Sequence, residues 1–266
     1  MDVRSRNNLR IVGAEHGPTI MLAHGFGCDQ NLWRSVTARL APEFRVVLFD
    51  HVGSGASDPA AWDADRYSSL RGYAEDILEL VRELDLHDVV FVGHSVAAMM
   101  GVLAACADPA RFAKLVLLTP SPRYVDDGDY RGGFSRADID ELLESMDSNY
   151  LGWSHAMAPT IMGAPEQPEL SEELAESFCR TDPTRARVFA RATFLSDNRA
   201  DLDGVCVPTL VIECAYDAIA PRGVGAFVHE RIAGSTLVTL DTTGHCPHLS
   251  APEETAEAIA AFARST

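Results

Sequence analysis

The sequence predicts an α/β protein in which a mostly parallel central sheet is flanked by helices and interrupted by an all-helical insertion. Short runs rich in β-branched residues recur along the chain: TIMLAHG (19–25), RVVLFD (45–50), VVFVGHS (89–95), KLVLLTP (114–120), TLVIECAYD (209–217) and TLVTLDTTGH (236–245). They are apolar on both alternating faces, as a sheet buried on both sides requires. Amphipathic or small-residue helical stretches separate them, and the strand–helix alternation specifies right-handed crossovers in one open sheet. Between about 122 and 196 the rhythm stops, and only helical patterns appear.

In chain order, LRIV (9–12) adds an edge strand, and NLWRSVTARLA (31–41), SLRGYAEDILELVREL (69–84) and VAAMMGVLAACA (96–107) read as the first helices. The insertion contains 137–159, 171–180 and 182–195 as helical stretches, with Ser171 and Asp182 as N-caps. Pro and Gly within 161–170 mark a break. RGVGAFVHERIA (222–233) and PEETAEAIAAFAR (252–264) complete the helices. The expected organisation is a core of 1–121 and 197–266 with a helical lid at 122–196.

Composition bounds the function. With 22 Lys and Arg against 39 Asp and Glu, the formal charge is −17, a field that repels polyphosphates and disfavours nucleic acid as a partner. No apolar run approaches the roughly 20 residues that span a bilayer. The opening MDVRSRNNLR lacks a signal peptide's apolar middle, so no membrane association and a cytoplasmic location are expected. The six cysteines are scattered without a CxxC pair, so neither a zinc site nor a disulfide framework is expected. GSG in 53–55 lacks the third glycine and the following helix of a dinucleotide site; neither a cofactor nor a metal is expected.

Chemistry enters with GHSVA (93–97), where a buried strand passes at once into a helix. A serine at such a bend stands clear of the sheet, and the first amides of the next helix face whatever its hydroxyl attacks. Ala97 replaces the usual last glycine of this pattern and is the next smallest residue. A serine hydroxyl needs a base and a carboxylate that orients the base. His245, in TTGHCPHL after the last strand, is the candidate base, and His248 is its competitor. Asp217, directly after TLVIECAY, is the candidate acid; Asp201 and Asp203 precede that strand, whereas Glu213 and Asp241 lie inside strands. Cys246 lacks a separate base. The loop HGFGCD (24–29) offers the amide of Phe26, and the start of the helix that of Val96, as oxyanion donors.

These elements, in this order, resemble the α/β-hydrolase fold superfamily. HGFGCDQNLW, LFDHVGSGASD, VGHSVAAMMGVLA, TPSPRYVDDGDYRGGF, SNYLGW, SFCRTDP and GHCPHLSAPEET are more specifically similar to the bacterial RsbQ stress-response proteins, and to the plant strigolactone and karrikin receptors. His24 departs from the proline of some RsbQ relatives. The resemblance implies a serine hydrolase with Ser95, Asp217 and His245 as triad and a four-helix lid. It also implies a signalling role beside a PAS-domain phosphatase as an alternative to metabolic turnover. Apolar residues at helical spacing in the lid predict a dry cavity for a small uncharged hydrophobic ester or lactone. The candidate pocket residues are Gly25, Phe134, Leu142, Trp153, Met157, Phe189, Phe194 and Ile219. Haloperoxidase and carbon–carbon hydrolase chemistry use the same triad and stay open.

Overall fold

The computed structural model describes residues 2–265. Seven strands, β1 (Arg10–Gly13), β2 (Thr19–Ala23), β3 (Arg45–Leu48), β4 (Val89–His94), β5 (Phe112–Leu118), β6 (Thr209–Tyr216) and β7 (Thr236–Thr243), form one sheet. Its order is β1-β3-β2-β4-β5-β6-β7. Only β1 runs antiparallel to its neighbour; the other pairings are parallel.

The continuous apolar strands are explained by what each face meets. Along β4, Val89 and Phe91 join one buried cluster while Val90 and Val92 join another on the opposite face; along β5, Leu115 and Leu117 alternate in the same way with Val116 and Leu118. A period of two with both faces covered leaves the middle of these strands continuously apolar, and the polar residues His94 and Lys114 stand near strand ends.

The helices are α1 (Val3–Arg6), α2 (Arg34–Leu40), α3 (Leu70–Glu83), α4 (Val96–Ala107), α5 (Arg136–Ser148), α6 (Tyr150–Met162), α7 (Pro168–Arg180), α8 (Pro183–Phe194), α9 (Arg222–Arg231), α10 (Pro247–Ser250) and α11 (Pro252–Arg264). Residues of α3, α4 and α9 pack on one face of the sheet, and residues of α2 and α11 on the other. Helix α4 is buried nearly all round, which accounts for its run of small and apolar residues rather than a stripe.

Four helices, α5–α8, occupy the segment between β5 and β6, and their apolar faces form a third cluster with Cys28, Leu32, Ile219, Cys246 and Leu249. The stretch 137–159, read as continuous from sequence, divides at Asn149, whose backbone is extended (φ −152°, ψ 82°) and whose side chain accepts the Gly152 N–H as a cap for α6. That cap outweighs the helical periodicity on either side. Ser171 lies inside α7, which begins with Pro168, because proline suits the first helical turn. Asp182 does cap α8, accepting from the Thr184 and Arg185 amides.

Because β3 lies on one side of β2 and β4 on the other, the sheet's order reverses between β2 and β4. Their carboxyl ends are adjacent, with Ala23 opposite Gly93. A crevice opens at such a switch point in open α/β sheets, and the loop holding Phe26 and the bend holding Ser95 both emerge there.

Candidate active site

Ser95 sits between β4 and α4 with φ 56° and ψ −123°, a conformation costing on the order of 1–3 kcal/mol. It is held by the Ser95 amide donating to Leu118 O (2.8 Å) and by Ser95 O accepting from Ala98 N (3.0 Å). Crowding at the bend explains the small residues: a Cβ on Gly93 would lie 2.4 Å from Ala97 O, and one on Gly25 2.7 Å from His94 Nδ1. Alanine at 97 is completely buried.

The structure brings the three distant side chains into one chain of hydrogen bonds. The Ser95 hydroxyl donates to His245 Nε2 at 2.7 Å, and His245 Nδ1–H donates to Asp217 Oδ2 at 2.7 Å. The second carboxylate oxygen, Oδ1, accepts from the amides of Ile219 (2.8 Å) and Ala220 (3.0 Å). The carboxylate is thereby fixed on both edges, and its acceptor assigns the proton to Nδ1, leaving Nε2 free to take the serine proton.

The competing groups are engaged elsewhere. His248 is fully buried, tilted against the Trp33 ring at 4.6 Å and the His94 ring at 4.4 Å; burial lowers its pKa to about 3. Glu213 accepts from the Thr239 hydroxyl. Asp201 and Asp203 pair with Arg71 and Arg231, and Asp241 is exposed. Burial pushes the Cys246 thiol well above its usual range. His24 and His51 buttress the first loop, the His51 amide donating to His24 Nε2 and the His51 ring to His24 O.

The amides of Phe26 and Val96 donate to no other group among the described residues, and Val96 is the first residue of α4, where N–H groups are left free by geometry. The Phe26 side chain closes the other side of the crevice, with its ring 6.2 Å from Trp153, 6.1 Å from Phe178 and 5.9 Å from Phe194.

Beside Ser95 lies a cavity walled largely by the helical insertion. Six of the eight sequence-predicted pocket residues line it: Phe134, Leu142, Trp153, Met157, Phe194 and Ile219. Gly25 and Phe189 do not. Gly25 is pressed against the His94 ring, next to Ser95. Phe189 turns to the sheet side of α8, stacked on Tyr73 at 4.7 Å and tilted against Phe26 at 5.4 Å, so helical spacing alone misassigned its face.

Sequence reasoning missed Tyr124, whose hydroxyl is 3.4 Å from Ser95 Oγ; its only signal was its place in the segment TPSPRYVDDGDYRGGF (119–134). Burial raises its pKa, so it presents a neutral phenol. Thr193, Ile161 and Leu174 also line the cavity unforeseen. Among the described residues no group of three or more His, Cys, Asp or Glu is placed to hold a metal ion, and no helix is long and apolar enough to cross a membrane.

A parallel sheet with a hydroxyl, an imidazole and a carboxylate joined at its carboxyl edge defines a class of hydrolases. Residues 20–258 match the model of the alpha/beta hydrolase family, and the chain belongs to that family. It is 39% identical over 252 residues to a probable esterase of Oryza sativa subsp. japonica, covering 94% of this chain and 93% of that one. It is 38% identical, over the same shares, to karrikin insensitive 2 receptor CA of Petunia hybrida. Among solved structures, a hydrolase from Oleispira antarctica superposes with a TM-score of 0.97 at 41% identity, covering 100% of this chain and 97% of that one.

Proposed function

We propose that the protein is a serine hydrolase that cleaves a small, uncharged, hydrophobic ester or lactone through an acyl-serine intermediate. The observation that carries this reading is the continuous Ser95–His245–Asp217 chain opening into a cavity whose lining contains no Asp, Glu, Lys or Arg. A charged substrate would lose its hydration there without a counter-charge.

In this mechanism Ser95 Oγ attacks the carbonyl carbon as its proton passes to His245 Nε2. Asp217 stabilises the imidazolium without taking the proton. The amides of Phe26 and Val96 receive the developing oxyanion, each typically worth about 3 kcal/mol in the transition state. The tetrahedral intermediate collapses, and His245 returns the proton to the departing alkoxide. Water, deprotonated by His245, then cleaves the acyl-serine by the same steps in reverse.

The test is hydrolysis of 4-nitrophenyl acetate. Ser95→Ala is expected to lower kcat/KM by several orders of magnitude, and the quenched parent to carry an acetyl group on Ser95. A variant hydrolysing at the parent rate sinks the reading.

A second reading, supported by the receptor among the relatives, makes the same pocket a sensor with little metabolic flux. The protein then engages a protein partner, for which the sequence resemblance suggests a PAS-domain phosphatase. Turnover far below about 1 per second, together with a ligand-dependent rise in melting temperature, favours this reading over a metabolic enzyme.

A further inference from the structure

Thr193 stands in the last turn of α8, 1% exposed, and lines the cavity beside Ser95. Its Oγ1 has no hydrogen-bond partner among the described residues. A threonine within a helix ordinarily returns its hydroxyl to the carbonyl one turn back, and this one does not. A buried hydroxyl left unpaired costs on the order of 1–3 kcal/mol, a cost that valine, nearly the same shape, would avoid.

The surroundings sharpen the point. Apart from the reacting groups, the cavity's other polar side chains are the Tyr124 hydroxyl, the His94 ring, two thiols and the Trp153 indole, and of these His94 Nδ1 and Trp153 Nε1 also lack a partner among the described residues. Phe194, the next residue, packs against both Phe26 (5.9 Å) and Tyr124 (5.2 Å), and these two border the nucleophile. Thr193 therefore belongs to the wall that an acyl chain on Ser95 would follow, and its hydroxyl is a buried, unpartnered group there that a substrate oxygen could satisfy.

We propose that Thr193 is a specificity-determining residue whose hydroxyl donates to an oxygen in the acyl part of the substrate, a few bonds from the scissile carbonyl. This rests on the serine-hydrolase reading and narrows its substrate class from hydrocarbon esters to oxygenated ones: alkoxy-acyl or oxo-acyl esters, or a lactone carrying a second oxygen. An acceptor that satisfies the buried hydroxyl is rewarded, whereas a methylene in its place leaves the hydroxyl unpaired, which is how polar pockets discriminate against isosteres.

The experiment compares the parent with Thr193→Val on three matched pairs of 4-nitrophenyl esters: methoxyacetate against butanoate, 3-methoxypropanoate against pentanoate, and 4-oxopentanoate against 4-methylpentanoate. Each ratio of kcat/KM values cancels the ester's intrinsic reactivity when the two proteins are compared. The expected result is a fall of about tenfold or more in the oxygenated-to-hydrocarbon ratio of at least one pair. Unchanged ratios in all three overturn the proposal. The melting temperature of the unliganded variant is an independent readout, expected to hold or rise because an unpaired hydroxyl is removed. A clear fall would mean the hydroxyl is bonded within the free protein, which also overturns it. Failure of the hydrolase reading would look different: Ser95→Ala would match the parent on every ester.

Discussion

The main-chain N–H of His245 donates to the carbonyl oxygen of Ile161 at 2.8 Å, joining the histidine that bridges Ser95 and Asp217 to the last turn of α6. That helix supplies Trp153, Met157 and Ile161 to the cavity wall. Its carbonyl is free to accept because the final carbonyls of a helix have no partner within it. The junction is tight: Gly244 has φ 98°, and a Cβ there would lie 1.8 Å from Met162 O. Gly244→Ala must therefore push α6 and the histidine loop apart. The expected outcome is a lower melting temperature and at least about a tenfold loss of kcat on 4-nitrophenyl acetate, with a smaller change in KM. Parent-like kcat in a folded variant would show that this junction does not position His245.

On its other side the same residue is tied to the core. His245 O accepts from His94 Nε2 at 2.8 Å and from Thr119 Oγ1 at 3.1 Å. His94 thus acts as a positioning residue within the bend. His94→Leu removes the donor and is expected to reduce kcat by roughly 10–100-fold, whereas His94→Gln, which keeps an N–H of similar reach, should recover part of it. Equal losses in the two variants would point to packing alone.

The strands and the triad were legible for a shared reason. Buried parallel strands must be continuously apolar, and the side chains that follow their carboxyl ends, Ser95, Asp217 and His245, must reach a single edge. Chain order and position at the strand ends were therefore enough to single out His245 and Asp217 as the side chains that meet Ser95. What sequence could not resolve was set by long-range packing. Phe189 and Phe194 both fit a helical face, but only contact with Tyr73 decides that Phe189 turns inward. Tyr124 reaches Ser95 from an irregular loop with no periodicity to read, and the division at Asn149 depended on a side-chain cap inside an otherwise helical pattern.

Asp217→Asn should separate geometry from charge. An amide oxygen can still accept from the Ile219 and Ala220 amides, so the loop is expected to keep its shape. The group facing His245 Nδ1 no longer carries the charge that stabilises the imidazolium, and an amide N–H turned toward the ring would favour the wrong tautomer. Loss of kcat on the order of 10³–10⁴-fold is expected near neutral pH, with melting temperature little changed. A loss below tenfold would remove Asp217 from the mechanism.

Acid stability follows from His248. Its pKa in the folded protein is lowered to about 3, chiefly by burial and then by the nearby His245, Arg34 and His24, against about 6.5 in an unfolded chain. Between those values the unfolded chain binds a proton that the folded one refuses, so stability falls as pH drops from about 6.5 toward 3, by at most about 1.4 kcal/mol per unit from this group. His94 and His51 are shifted in the same direction by burial, which steepens the loss. His248→Phe keeps a ring against Trp33 and replaces two unpaired nitrogens. Melting curves at pH 7, 6, 5 and 4 should therefore show a shallower decline for this variant, with the gain over the parent widening as the solution is acidified. Parallel declines would mean that His248 is not charged on unfolding across this range, and the acid sensitivity would then rest with the other buried rings.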